Sequence, residues 1–409
     1  MSKRLNAILA LLLIASLLVG CNAKPAAMSE TASPTNTTTV SATTETIPPE
    51  TTQETTAPTE PLSPAEEILA GMTLREKVGQ LFIVQLEALN GKDSAAVTEL
   101  TDTFISMLEQ YPVGGLIFFA DNIVSPGQIA QFNSDLQNIS ALPMFLAIDE
   151  EGGLVARLAN HRAFNLTRYE SAAAVGSSKD LTVSMEMGIT IGTYLAKYGF
   201  NLNFAPVADV NTNPKNTVIG NRAFSTDAKT AAQAVKLISE GLNSRGIIAT
   251  FKHFPGHGDT AEDSHVQLAV THKSIDQLAE CEFLPFKRAD ANDFVMVGHI
   301  AAPEVTDNML PASMSPEMIG LLREHLGFEG LVITDSLSMN AITNSYTSAE
   351  AAVAALAAGC DILLMPENLE EAFDAVLTAL EEETLTRSWL DETVLRILEF
   401  KMLHGILKY

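Results

Sequence analysis

Residues 144–153 have the sequence Met-Phe-Leu-Ala-Ile-Asp-Glu-Glu-Gly-Gly, in which an apolar run ends in three acidic residues and a pair of glycines. A short apolar run without alternation is typical of a strand that is buried on both faces of a parallel sheet. Polar residues that directly follow such a strand lie at its carboxyl end, where parallel α/β folds carry their functional groups. The stretch therefore predicts a fold class and the position of a site.

Similar apolar runs occur at regular intervals on both sides of this stretch. Together they predict eight strands: Leu81–Leu86, Gly115–Phe119, Met144–Asp149, Leu202–Val207, Gly246–Lys252, Phe294–Gly298, Leu331–Asp335 and Asp361–Met365. Helical patterns lie between the strands, for example Pro64–Gly79, Lys229–Arg245 with Asp227 as its cap, and Ser348–Ala358 ending at Gly359. The chain thus alternates strand and helix from residue 64 onward.

Eight such units predict an α/β fold, a single (β/α)₈ TIM-type barrel formed by residues 64–409. A doubly wound open sheet shows the same alternation and is the alternative. No glycine fingerprint for a dinucleotide follows the first predicted strand, which favours the barrel.

The N-terminal segment has the features of a bacterial lipoprotein signal. Lys3 and Arg4 precede an apolar run, Leu5–Val19, which is typical of a signal-peptide core. The run ends in Leu18-Val19-Gly20-Cys21, which resembles a lipobox and implies that residues 1–20 are removed and Cys21 is lipidated. A plain secretory signal with an incidental cysteine is the alternative.

Residues 21–63 are predicted to form a disordered tether. Residues 22–63 contain 13 Thr and six Pro and no aromatic residue, so they cannot bury enough apolar surface to offset the entropy of ordering. With the lipobox, this composition predicts a protein located outside the cytoplasm and attached to the bacterial membrane by its lipid anchor only.

The charge balance excludes one class of partner. The chain has 50 Asp and Glu against 25 Lys and Arg, a formal net charge of −25. A nucleic-acid-binding protein needs a basic surface that neutralises phosphates. We therefore expect no nucleic-acid partner. A net charge this far from zero also suits separate soluble particles, and we expect a monomer.

Two cysteines remain once Cys21 is assigned to lipid. Cys281 and Cys360 occur in patterns typical of a helix and of the start of a strand. We predict two separate buried thiols. A single disulfide is the alternative, because the predicted location is oxidising.

Histidines and acidic residues cluster after the fifth predicted strand, in Lys252–Thr260 and Asp263-Ser264-His265. Such a cluster can coordinate a divalent metal, or it can supply an acid, a base and hydrogen bonds to a polar substrate. The ammonium of Lys252 beside His253 disfavours a metal. Pro255 also breaks the helix on which an H-x-x-x-H pair of ligands usually lies.

Asp335 directly follows the seventh predicted strand. A carboxylate in this position is suited to nucleophilic attack on a sugar acetal, because it can also leave again from the same carbon. A helix N-cap is the alternative role for such an Asp.

Lys252–Thr260 with Asp263-Ser264-His265, together with Gly330–Met339, resembles glycoside hydrolase family 3, in its β-N-acetylglucosaminidase branch. The resemblance covers nearly all of residues 64–409. It implies a barrel-shaped catalytic domain, no metal or organic cofactor, and retaining hydrolysis of a terminal β-linked N-acetylglucosamine through a covalent glycosyl-aspartate.

The resemblance also implies the roles of individual residues. Asp335 matches the nucleophile, His265 the acid/base and Asp263 the acid that pairs with this histidine. The residues that match substrate-binding positions are Asp149, Arg157, Arg222, Lys252 and His253. A locally cationic mouth is predicted from six basic and His side chains: Arg157, Arg222, Lys252, His253, His257 and His265. Leu154 departs from the family pattern, because the branch usually has an Arg there.

We expect the substrate to be a carbohydrate that contains N-acetylglucosamine, from peptidoglycan fragments or chitooligosaccharides. Trp389, the only tryptophan, lies away from the strand ends, which favours a pocket for one terminal sugar over a long aromatic cleft. Four alternatives stay open: a phosphorylase that transfers the sugar to phosphate, a β-glucosidase, a metal-dependent hydrolase, and a tethered sugar-binding lipoprotein without catalytic activity.

Overall fold

The computed structural model describes residues 61–91, 95–261, 264 and 267–409. The predicted signal peptide, the lipidated Cys21 and nearly all of the predicted tether lie outside the described residues. The predicted catalytic residues Asp263 and His265 also lie outside them. Within the described part of the chain, no helix is long and apolar enough to cross a membrane.

Eight parallel strands form the central barrel. They are β1 Phe82–Gln85, β2 Gly115–Phe118, β3 Phe145–Ile148, β4 Leu202–Asn203, β5 Ile248–Phe254, β6 Phe294–Val297, β7 Leu331–Thr334 and β8 Leu363–Leu364. Hydrogen bonds join them in the order β7, β6, β5, β4, β3, β2, β1, β8. A parallel bridge between Ile333 and Ile362 then joins β7 to the residue before β8. This bridge closes the sheet, so the barrel prediction is confirmed and the open-sheet alternative is wrong.

Helices surround the barrel. The eight that follow successive strands are α1 Asp102–Gln110, α2 Pro126–Ile139, α3 Thr182–Lys197, α4 Ala228–Asn243, α5 Phe283–Phe286, α6 Pro316–Gly320, α7 Ser348–Ala358 and α8 Leu369–Glu381. Additional helices are Pro64–Gly71, Leu74–Gly79, Ala172–Gly176, Ile275–Glu280, Pro303–Thr306, Asn340–Thr343 and Arg387–Leu403. Two short strand pairs lie outside the barrel: Glu150–Gly152 with Val155–Ala156, and Ala269–Val270 with Ile300–Ala301.

The ends of the helices follow from capping residues. Asp227 caps α4 by accepting a hydrogen bond from the backbone N–H of Thr230, and Gly359 ends α7 with a φ of 107°, as the sequence predicts. The single helix predicted over 64–79 is wrong, because Thr73 and Glu76 form a capping box that starts a second helix.

The amino-terminal end of the barrel is sealed by the helix Arg387–Leu403. The ring of Phe400 on this helix packs against Phe145 of β3 and Phe294 of β6, with ring centroids 6.4 and 5.3 Å apart. The neighbouring ammonium of Lys401 is fully buried and donates hydrogen bonds to the side-chain oxygen of Gln80 and to two backbone carbonyls. A functional pocket therefore has to open at the opposite end.

Both remaining cysteines are free thiols, so the disulfide alternative is wrong. Cys360 is buried, as predicted, and burial raises the pKa of its thiol. Cys281 is only half-buried, because it lies at the end of the helix Ile275–Glu280 rather than inside the barrel.

Candidate active site

A pocket of about 500 Å³ lies at the carboxyl ends of the barrel strands. The structure brings together there all the predicted site residues that it describes: Asp149, Arg157, Arg222, Lys252, His253 and Asp335. They come from positions that are up to 186 residues apart in the chain and meet because parallel strands of a barrel present their carboxyl ends at one face. Trp389 does not line this pocket.

One side of the pocket, called the polar wall below, consists of Asp149, Glu151, Arg157, Arg222 and Lys252. Lys252 is at its centre. Its Nζ lies 2.8 Å from Asp149 Oδ1 and 2.7 Å from Glu151 Oε1, and only 4% of its side chain is exposed. Burial alone would lower the pKa of this ammonium, but the charges of Asp149 and Glu151 outweigh burial and raise it. Lys252 is therefore a permanent cation that holds two carboxylates in place.

Glu151 is the acidic partner that sequence reasoning did not single out. It accepts two hydrogen bonds from Arg222, at 2.9 Å from Nε and 2.8 Å from Nη2, and it also pairs with Lys252. Burial would raise the pKa of this carboxyl, but the charges of Lys252 and Arg222 outweigh burial and lower the pKa to about 2. Glu151 thus joins the residues after β3 to Arg222 and β5.

The turn after β3 explains how three adjacent acidic residues face different ways. Gly152 and Gly153 have φ angles of 84° and 67°, a conformation that favours glycine, and they reverse the chain into a hairpin. Glu150, between Asp149 and Glu151, points away from the pocket. It is fully buried and accepts hydrogen bonds from two backbone N–H groups and from the Tyr194 hydroxyl. Glu150 therefore supports the loop from behind.

Arg157 reaches the pocket from this same loop. Its Nη2 lies 3.4 Å from Asp149 Oδ2, and its guanidinium carbon lies 5.5 Å from the centre of the Phe119 ring. The ion pair and the aromatic face together orient the guanidinium beside the pocket.

The polar wall is balanced in charge, which corrects the prediction of a locally cationic mouth. Each of the three cations that line the pocket, Arg157, Arg222 and Lys252, pairs with a carboxylate. Among the described residues that line the pocket, the acidic ones are Asp149, Glu151 and Asp335. As far as the structure describes it, the mouth is therefore an ion-pair network in which the Lys and Arg side chains are matched by carboxylates.

His253 is oriented by Asp209, a residue that sequence reasoning missed. His253 Nδ1 lies 2.8 Å from Asp209 Oδ2, and the other carboxylate oxygen accepts the backbone N–H groups of His253 and His257. Asp209 is fully buried. It follows the apolar run of β4 much as Asp149 follows β3, and this position was the available signal.

Asp335 follows β7 at the base of the pocket. Its backbone N–H donates to the Val297 carbonyl, and its Oδ1 accepts the backbone N–H of Ser336 at 2.8 Å. Burial would raise the pKa of Asp335, but His253, His299, this N–H and Lys252 together lower it. Asp335 is not a helix cap, because Met339 is the N-cap of the next helix. It is an ionised carboxylate that faces the pocket.

The chain after β5 folds onto the pocket through His257. His257 Nε2 lies 2.8 Å from Ser264 Oγ, and its Nδ1 lies 2.8 Å from Thr260 Oγ1. Asn216 donates to the backbone carbonyls of His257 and Thr260. Ser264, whose sequence neighbours Asp263 and His265 are outside the described residues, is buried and lines the pocket.

Two of the histidines that suggested a metal site, His253 and His257, have other partners. His253 binds Asp209, and His257 binds two hydroxyl groups. In the part of the chain that the structure describes, no group of three or more His, Cys, Asp or Glu residues is arranged to hold a metal ion.

Comparison with known proteins gives one family. The model of the "Glycosyl hydrolase family 3 N terminal domain" matches residues 73–400. A "Beta-hexosaminidase A" of Pseudoalteromonas piscicida is 32% identical over 340 residues, which are 76% of this chain and 57% of that protein. A "Beta-hexosaminidase" of Xylella fastidiosa (strain 9a5c) is 34% identical over 69% of this chain and 85% of that protein.

Solved structures agree with this family. A glycoside hydrolase family 3 beta-N-acetylglucosaminidase from Paenibacillus sp. is similar with a TM-score of 0.76 and 37% identity, over 82% of this chain and 63% of that one. A family 3 glycosyl hydrolase from Mycobacterium smegmatis is similar with a TM-score of 0.68 and 30% identity, over 81% of this chain and 98% of that one. This chain thus spans less than two thirds of the Pseudoalteromonas and Paenibacillus proteins.

Proposed function

Because the chain belongs to glycoside hydrolase family 3, we propose that it is a retaining exo-β-N-acetylglucosaminidase. It removes terminal β-linked N-acetylglucosamine from the non-reducing end of peptidoglycan fragments or chitooligosaccharides. The names of the relatives, beta-hexosaminidase and beta-N-acetylglucosaminidase, support this substrate class.

One observation carries the proposal: an ionised Asp335 lies in the same pocket as a wall of paired donors and acceptors. In the first step the Asp335 carboxylate attacks the anomeric carbon, and the bond from this carbon to the leaving-group oxygen breaks. In the second step water attacks the same carbon and releases Asp335 as a carboxylate. Two inversions give net retention.

The polar wall binds the sugar. Asp149 and Glu151 accept hydrogen bonds from sugar hydroxyls, and Arg157, Arg222 and Lys252 donate to hydroxyl or carbonyl oxygens. Since these side chains already hold one another in ion pairs, little reorganisation is needed when the sugar binds.

We assign the acid/base role to His265, paired with Asp263. A protonated imidazole gives its proton to the leaving-group oxygen in the first step and takes a proton from water in the second. An imidazole titrates near pH 6.5 without a special environment, so it can serve both steps near neutrality. Substituting His265 with Ala should reduce cleavage of a disaccharide more than cleavage of an activated aryl glycoside.

The nucleophile assignment is tested with Asp335→Ala. Turnover of an aryl N-acetyl-β-glucosaminide should fall by at least about a thousandfold, because no covalent intermediate can form. The matched control is Asp276→Ala, at an exposed position in the helix Ile275–Glu280. Near-normal turnover by Asp335→Ala would remove the assignment.

We also propose that the protein acts outside the cytoplasm, attached to the membrane through a lipid on Cys21. The lipobox-like sequence before Cys21 and the Thr- and Pro-rich segment after it support this location. In cells grown with labelled palmitate, the wild-type protein should carry label and Cys21→Ala should not. Equal labelling, or no labelling of the wild type, would contradict the proposal.

A further inference from the structure

We propose that His299 is a positioning residue for the catalytic carboxylate: it holds the backbone of Ser336, and Ser336 in turn holds Asp335. This inference rests on the proposed function, since it takes Asp335 as the nucleophile. His299 lies two residues beyond β6 and does not belong to any motif that the sequence analysis singled out.

Both ring nitrogens of His299 have defined contacts. Nε2 lies 2.8 Å from the backbone carbonyl oxygen of Ser336, and Nδ1 lies 2.8 Å from Ser313 Oγ. A carbonyl oxygen can only accept, so Nε2 carries a hydrogen and donates it. Both His299 and Ser313 are 0% exposed, so water does not compete for these hydrogen bonds.

Ser336 transmits this constraint to the carboxylate. Its carbonyl accepts from His299, while its backbone N–H donates to Asp335 Oδ1 at 2.8 Å. With Oδ1 held by this N–H, attack on the anomeric carbon falls to Oδ2. The imidazole thus fixes which oxygen reacts and from which direction.

Strand β6 and the residues directly after it therefore hold the Asp335–Ser336 segment at two points. The carbonyl of Val297, its last residue, accepts the Asp335 backbone N–H at 2.8 Å, and His299 holds the next residue, Ser336. Loss of the second contact would let the chain rotate about the first. A misplacement of about 1 Å at a reacting atom costs on the order of a hundredfold in rate.

The experiment compares His299→Leu, His299→Gln and Ser313→Ala in the full chain. The substrates are aryl N-acetyl-β-glucosaminides whose leaving groups differ in acidity. For His299→Leu, kcat/KM should fall about a hundredfold, and the factor should be the same for every leaving group. KM should change less than about threefold. His299→Gln, which keeps an N–H donor, should recover about tenfold of that loss.

The way in which the rate depends on the leaving group distinguishes a misplaced nucleophile from a damaged proton donor. A misplaced nucleophile slows every substrate equally, whereas a damaged proton donor slows mainly substrates with poor leaving groups. Near-normal activity of His299→Leu, a loss confined to poor leaving groups, or equal activity of the Leu and Gln variants would each overturn the inference. If His299→Leu does not fold, His299→Gln and Ser313→Ala decide: partial losses independent of leaving group support it, and unchanged rates overturn it.

The assignment of Asp335 as the nucleophile would be contradicted by a different result. If Asp335→Ala keeps turnover, the proposed function falls together with this inference. If Asp335→Ala is inactive and the His299 variants are unaffected, only the role of His299 is overturned.

Discussion

Glu151 is a buried carboxylate that forms ion pairs with two cations of the pocket. Its carboxylate compensates Lys252 and Arg222 while its side chain is only 3% exposed. A buried ion pair adds little net stability, but removing one partner leaves a buried charge without compensation. The interactions of Glu151 therefore predict a large effect from a change that removes a charge and hardly alters shape.

We predict that Glu151→Gln lowers the free energy of unfolding at pH 7 by about 3 kcal/mol. Glu367→Gln is the matched control, because Glu367 is exposed. The folded pKa of Glu151, about 2, is below its ordinary value of 4.5. The stability that it contributes is therefore complete above pH 4.5 and is lost as the pH falls toward 2. Urea unfolding across this range should show a smaller pH dependence for Glu151→Gln, and an unchanged dependence would contradict the pairing.

Met365, which lines the pocket just after β8, has a φ of 48°. A left-handed backbone costs a residue with a side chain roughly 1 kcal/mol or more, and glycine is largely spared this cost. We predict that Met365→Gly is more stable than Met365→Ala by about 1 kcal/mol in thermal unfolding. Met339, also in the pocket wall, has a φ of −68° and is the control. There alanine should be the more stable substitution, and the same order at both positions would contradict the argument.

Sequence reasoning found those pocket residues that directly follow an apolar run or belong to a family motif, such as Asp149, Lys252 and Asp335. It missed Asp209 and His299, although both follow barrel strands, because a single polar residue there has many structural roles. It also could not distinguish Glu150 from Glu151. Which of two adjacent carboxylates faces a pocket depends on the backbone angles of the turn at Gly152 and Gly153, and residue type alone does not specify these angles.

The helix Arg387–Leu403 is fixed to the barrel by Lys401. Its ammonium donates to Gln80 Oε1 and to the carbonyls of Gly114 and Pro143, which precede β2 and β3. The three acceptors use all three hydrogens of the ammonium. Burial nevertheless lowers the pKa of this group to about 7, because no carboxylate compensates its charge.

The sign of the resulting pH dependence follows from this lowered pKa. Above about pH 7 folded Lys401 loses its proton, while the unfolded chain keeps the proton up to about 10.5. Through this group stability therefore rises with pH between these values. We predict that Lys401→Met removes this rise and also leaves three buried acceptors unsatisfied, so the variant is less stable at pH 7 by about 2 kcal/mol. Unfolding by urea at pH 6 to 10 measures both effects. If the free energy of unfolding of the variant still rises with pH as in the wild type, Lys401 does not cause the rise.

The presence of helices and strands was predicted more accurately than the residues at which they begin and end. Parallel strands buried on both faces need contiguous apolar residues, so all eight barrel strands were visible as runs such as Leu331–Thr334. The break in the predicted helix at residue 72 was missed. Thr73 and Glu76 form a capping box whose sequence pattern also occurs inside uninterrupted helices.

The closure of the sheet could not be derived from the number of strands. Eight strands fit an open sheet as well as a barrel, and the decisive contact joins Ile333 and Ile362, which belong to the last two units. Closure brings the ends of β3, β4 and β5, which carry the polar wall, into one pocket with Asp335.

The proposed exo action can be tested on a short oligosaccharide, because a pocket of about 500 Å³ has the size of a site for a small ligand. We predict that chitotetraose loses N-acetylglucosamine one residue at a time, so that the trimer appears before the dimer and no early dimer forms by internal cleavage.

The same assay in phosphate buffer separates hydrolysis from phosphorolysis. Because each Lys and Arg that lines the described part of the pocket pairs with a carboxylate, we expect free N-acetylglucosamine and no sugar 1-phosphate. Mass spectrometry of the early products distinguishes these outcomes, and early release of dimer or formation of N-acetylglucosamine 1-phosphate would contradict the prediction.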